Sequence, residues 1–132
     1  MSLALKMQQD TQTPFQGLDG GETTTQIFFT VTPSGNYVIG GDQLDFSQLG
    51  DMVKSSRPPL QVYLQSQSSS GASGWLYSYK PGTNAINGKM QVLGTGGSAG
   101  ARHKELGAVA YSSTTPPIST DTIVGYAIFP RI

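Results

Sequence analysis

At 132 residues, with no cysteine and a formal net charge of zero, the chain is long enough for one domain and too short for two. A domain of this size buries roughly two thirds of the surface its unfolded chain exposes, so it folds without disulfides or metal staples. Eight basic and eight acidic residues, scattered along the chain, argue against the basic stripe of a nucleic-acid binder. Charged residues make up 12% of the chain, against about 25% in an average soluble domain. Gln, Ser, Thr, Asn and Gly take their place, and a surface of that kind loses little when another protein covers it. No apolar run reaches bilayer-spanning length, and Met1–Met7 has neither a sustained hydrophobic stretch nor a small-residue cleavage site. The chain is therefore expected to be soluble, with no membrane or nucleic-acid partner.

The recurring hydrophobic period is two, not 3.6. Leu3, Leu5 and Met7 alternate with polar or small residues, so residues 1–22 are expected to form an edge strand or an extended arm. Gln8 to Gly21 carries few apolar residues and would order mainly on contact. The domain proper is expected over 23–132. Its clearest strand runs from Thr23 to Thr32, with Thr25, Ile27, Phe29 and Val31 on one face and Gln26, Phe28 and Thr30 on the other. Pro33-Ser34-Gly35-Asn36 supplies a turn, Tyr37 to Ile39 is short and extended, and Gly40-Gly41 breaks it. Leu44 and Phe46 belong to the next strand, and Phe46 to Val53 has room for one helical turn with Ser47 as its cap.

Pro58-Pro59 opens a strand in which Leu60, Val62 and Leu64 alternate with Gln61, Tyr63 and Gln65. After a Ser/Gly-rich loop from Ser66 to Gly74, Trp75, Tyr77 and Tyr79 line one face of a strand. Lys80 to Asn84 reads as a type II turn and Asn87-Gly88 as a hairpin signal. Met90 and Val92 point inward, Gly94 to Gly100 is a second flexible loop, and Leu106, Ala108 and Ala110 alternate. Thr122 to Phe129 closes the chain. The sum is an all-β, single-domain β-sandwich or jelly roll of about eight short strands.

The residue inventory argues against an enzyme. His103, the single histidine, sits between Arg102 and Lys104; positive neighbours lower its pKa, and Glu105 alone completes neither a triad nor a metal site. It reads as a solvated loop residue. Asp42 and Asp45 are three apart in a strand-turn segment, and a carboxylate bonding its own turn is the commoner use of such a pair than calcium binding. Gly94 to Gly100 lacks the Lys-Ser/Thr that follows a nucleotide-binding glycine loop. No cofactor and no metal are expected. Aromatic residues are the candidate interface: Trp75, Tyr77 and Tyr79 form a stripe, better read as the inner face of a strand than as a binding row. Tyr63 and Tyr126 lie opposite their strands' aliphatic residues and are better placed for exposed contact.

Several segments in order carry a resemblance. They are Gly40-Gly41-Asp42-Gln43-Leu44-Asp45-Phe46, Pro58-Pro59-Leu60-Gln61-Val62-Tyr63, Tyr79-Lys80-Pro81-Gly82-Thr83-Asn84 and Asn87-Gly88-Lys89-Met90-Gln91-Val92. Glu105-Leu106, Ala108 and Tyr111 follow, then Asp121 to Phe129. This ordering, from about Tyr37 to Phe129, resembles small virion structural proteins of tailed bacteriophages, especially capsid decoration (cement) proteins. The resemblance implies a β-sandwich made in the host cytoplasm that sits on the outer surface of the capsid. There it would clamp neighbouring major capsid protein subunits, as a homo-oligomer (dimer or trimer). The alternative is a tail-associated or host-binding module that recognises carbohydrate through Trp75, Tyr77, Tyr79 or Tyr126.

Overall fold

The computed structural model describes residues 3–7, 15–17, 21–50, 57–67, 75–94, 104–114 and 117–130. Among them are nine strands and three short 3-10 helices, in two antiparallel sheets that share one core. The chain is thus an all-β, sandwich-like domain. The first sheet holds β1 (Leu3–Met7), β2 (Phe15–Gly17), β3 (Gly21–Pro33), β5 (Gln61–Ser66) and β9 (Ile123–Pro130). The second holds β4 (Asp42–Leu44), β6 (Leu76–Lys80), β7 (Gly88–Gly94) and β8 (Lys104–Glu105).

β3 organises the first sheet. It pairs with β9 from Thr24 to Val31, and its other edge is shared end to end by β2 and β1. β9 carries β5 on its far side. The alternation seen in the sequence becomes burial: Ile27, Phe29 and Val31 of β3 and Ile123, Ala127 and Phe129 of β9 are all at most 2% exposed. Leu44, Tyr77, Met90 and Val92 answer them from the second sheet. Phe46 joins the two layers, edge-on to Phe29 (centroids 5.3 Å apart) and to Phe129 (5.0 Å), the arrangement that aromatic quadrupoles favour. Gly125 faces inward beneath the Phe29 ring, where a Cβ would collide with it.

Of the two forms open to the N-terminal segment, residues 3–7 take the strand. Leu3 and Leu5 are buried in the core, and the Gln48 side chain fastens β1 by accepting from Leu5 N–H and donating to the Leu3 carbonyl. Residues 8–14 and 18–20 lie outside the described residues.

Four local expectations are corrected. The helical turn is a 3-10 turn, Phe46–Leu49, and its cap is Asp45 rather than Ser47: Asp45 Oδ1 accepts from both Ser47 N–H (2.8 Å) and Ser47 Oγ (2.6 Å). Residues 51–56 lie outside the described set. No type II turn forms at Pro81-Gly82, because Gly82 lacks the positive φ that this turn needs. Nor does Asn87-Gly88 make a two-residue hairpin. Instead Asn87 Oδ1 accepts from Thr83 and Asn84 N–H while Asn84 Oδ1 accepts from Ile86 and Asn87 N–H, so side chains close a longer loop. Finally, Leu106, Ala108 and Ala110 do not extend a strand, since β8 ends at Glu105.

Candidate interaction surfaces

The carboxylates singled out by sequence do not converge on a ligand. Asp42 Oδ2 accepts from the Tyr111 hydroxyl at 2.9 Å and its Oδ1 from Gln43 N–H, whereas Asp45 is occupied with its own turn. Among the described residues no group of three His, Cys, Asp or Glu side chains stands together. His103 and residues 95–100 of the second glycine-rich loop lie outside the described residues. No described helix is long and apolar enough to cross a membrane.

What those carboxylates do is brace one end of the sandwich. Tyr37 donates to Glu105 Oε2 at 2.6 Å, and Gly40 N–H donates to the same oxygen, also at 2.6 Å. The Tyr37 hydroxyl in turn accepts from Val92 N–H. Tyr37 N–H reaches the Val109 carbonyl at 2.8 Å, and Asn36 bridges Ala110. The chain turns tightly from Val38 to Gly41, with Gly40 and Gly41 both in the positive-φ region that glycine tolerates. The loop after β3 and the loop after β8 are therefore one fastened unit, and it presents Val38 (54% exposed), Ile39 (64%) and Val109 (40%) to solvent. The Tyr37 hydroxyl and Gly40 N–H hold the Glu105 carboxyl below its usual value of 4.5. Burial first, and the neighbouring carboxylate second, push the Tyr37 and Tyr111 hydroxyls well above the usual 10.0.

The aromatic candidates divide between two faces. Tyr77 is buried and donates to Asp121 Oδ2 at 2.6 Å; desolvation, then this bond, raises its pKa. Trp75, just before β6, and Tyr79 within it pack against the core, and burial pushes Tyr79 up to about 12. These three therefore serve the interior. Tyr63 and Tyr126 lie on the outer face of the first sheet, as their place opposite the aliphatic positions predicts.

There they form one cross-strand row with Phe28, which the alternation puts on the face opposite Ile27 and Phe29 and which the sequence did not single out as a candidate. Phe28 pairs in register with Tyr126, and Tyr126 with Tyr63. The outward positions of β5 and β9, and of β3 from Gln26 to Thr32, are Gln, Thr, Val, Ile, Pro and aromatic, with no charged residue among them. Beside the row runs an open groove of about 280 Å³. No family model, no curated protein and no solved structure matches the chain. Sequence reasoning missed Val38, Ile39 and Val109 because their exposure depends on the Glu105 anchor, a contact between residues 65 to 68 positions apart.

Proposed function

We propose that the chain is a bacteriophage capsid decoration protein that docks by its braced loop end on the outside of an assembled head. The reading starts from the resemblance, and the observation that carries it is the exposed aliphatic cluster Val38, Ile39 and Val109 on loops fixed by Glu105. Two of the segments behind the resemblance meet at this end: Gly40 to Phe46 supplies the turn and Asp42, and Glu105 and Tyr111 supply their partners. A loop already held in place loses little conformational freedom on binding. The adjoining carboxylates already accept hydrogen bonds from tyrosines, so covering this end need not strand a bare ion. Contacts of modest strength become tight when several subunits, or two or three copies of the chain, engage at once. The major capsid protein is the partner this requires.

Burying an aliphatic side chain of this size contributes about 1.5–3 kcal/mol. The double variant Val38→Ser, Ile39→Ser should therefore bind assembled shells at least tenfold more weakly while keeping its fold, since both residues are exposed. Co-sedimentation of both proteins with empty shells, with unassembled capsid subunits as control, reads this out. Equal binding of the wild type to subunits and shells, or no binding to shells, would favour the tail-associated, host-binding reading instead.

A further inference from the structure

The outer face of the first sheet carries a feature that capsid docking leaves unused. Phe28, Tyr126 and Tyr63 stand side by side across three strands, with centroids 4.9 Å and 6.4 Å apart and ring planes within 39° and 22° of each other. The Tyr126 hydroxyl donates to Gln26 Oε1 at 2.6 Å, which fixes the central ring. Tyr63 is 56% exposed and Phe28 46%. The groove beside them, about 280 Å³, has this aromatic row as one wall, Val124 in its lining and Gln65 and Gln67 along it. Both glutamine side chains are exposed and make no hydrogen bond among the described residues.

Each property narrows the ligand. Among the described residues that line the groove none is charged, so none of them would offset the desolvation of a phosphate, carboxylate or ammonium. Near-parallel aromatic faces accept a flat apolar surface, and the C–H face of a pyranose ring offers one. Glutamine amides carry a donor and an acceptor on one group, matching vicinal hydroxyls that also do both. A purely aliphatic peptide side chain would use the rings and leave the amides unmet on desolvation. We propose that this groove binds a neutral glycan: one pyranose ring lies against Tyr63 and Tyr126, and its hydroxyls are taken up by Gln65 and Gln67. The site is separate from the loop end and holds whether or not the chain decorates a capsid.

The test is an NMR titration of the full chain with neutral oligosaccharides (maltohexaose, cellohexaose, laminarihexaose) and with sialyllactose as the charged comparison. At least one neutral probe should shift the ring signals of Tyr63 and Tyr126, and sialyllactose should not. Tyr63→Ala should weaken that binding tenfold or more. Gln65→Ala, an exposed change that leaves the aromatic row intact, should weaken it severalfold. No shift with any neutral probe at roughly 10 mM, a concentration that detects millimolar binding, would overturn the proposal. So would equal response to the charged probe, or unchanged binding by both variants. Self-association of the free chain that Tyr63→Ala abolishes, without a neutral-glycan response, would reassign the face to a second copy and overturn it too.

Discussion

Glu105 is the residue on which the loop end turns. It is a partly buried carboxylate with two directed donors, the Tyr37 hydroxyl and Gly40 N–H, and these hold its pKa below 4.5. Because the folded state binds a proton less readily than the unfolded state, the stabilisation is fully present above the ordinary carboxylate value. It is lost as pH falls through the lower, folded value. At the other extreme, Tyr37, Tyr77 and Tyr111 are held protonated by burial. Their contribution is complete below 10.0 and declines as pH rises beyond it. Urea unfolding followed across pH should therefore give a plateau with an acid and an alkaline limb. Glu105→Gln keeps an acceptor for Tyr37 but cannot ionise, so it should lower the plateau slightly and flatten the acid limb, with a smaller softening of the alkaline limb because the carboxylate that helps raise Tyr37 is gone. An acid limb identical to wild type would remove Glu105 from its bracing role.

At the level of elements, sequence and structure agree wherever one contact dominates. Strands β3, β5 and β9 were legible because one face of each meets the core and burial follows the period-two pattern; Leu60, grouped with Val62 and Leu64 by that pattern, breaks it, since it lies just before β5 and is 62% exposed. The stripe Trp75, Tyr77 and Tyr79 was legible as interior for the same reason. The loop from Pro81 to Asn87 was not. Its local signals named two turns, but two reciprocal asparagine caps close it as a single unit, and propensity at adjacent positions does not reveal which side chains will meet. Ser47 was named as a cap where Asp45 serves, since either residue type suits the position. Two forms were open for residues 1–22, and burial of Leu3 and Leu5 settles residues 3–7 as part of the sandwich. Removing such a buried leucine costs about 2–5 kcal/mol. Leu3→Ala should lower unfolding stability by that amount in chemical denaturation, and a chain lacking residues 1–7 should lose more. A truncated chain as stable as the full one would show that β1 is only an appended arm.

The whole molecule is a small sandwich in which the described carboxylates Asp42, Asp45, Glu105 and Asp121 serve its own turns and tyrosines. Two of its surfaces are short of charge in different ways. The loop end is aliphatic and held rigid by long-range hydrogen bonds, which suits a fixed protein surface. The outer face of the first sheet is aromatic and amide-lined, which suits a hydroxylated ligand. The sequence disclosed the second in part, through Tyr63 and Tyr126, because strand alternation decides which way they point. It could not disclose the first, because Val38 and Ile39 read as another short strand until Glu105 and Tyr111 are brought alongside. The most direct test of the decoration reading is a reconstruction of virions that carry the chain. It should place the sandwich on the outside of the head lattice, at a site shared by more than one capsid subunit, with Val38, Ile39 and Val109 toward the shell. Density for the chain at the tail, or a head-bound sandwich with this end facing solvent, would contradict the account.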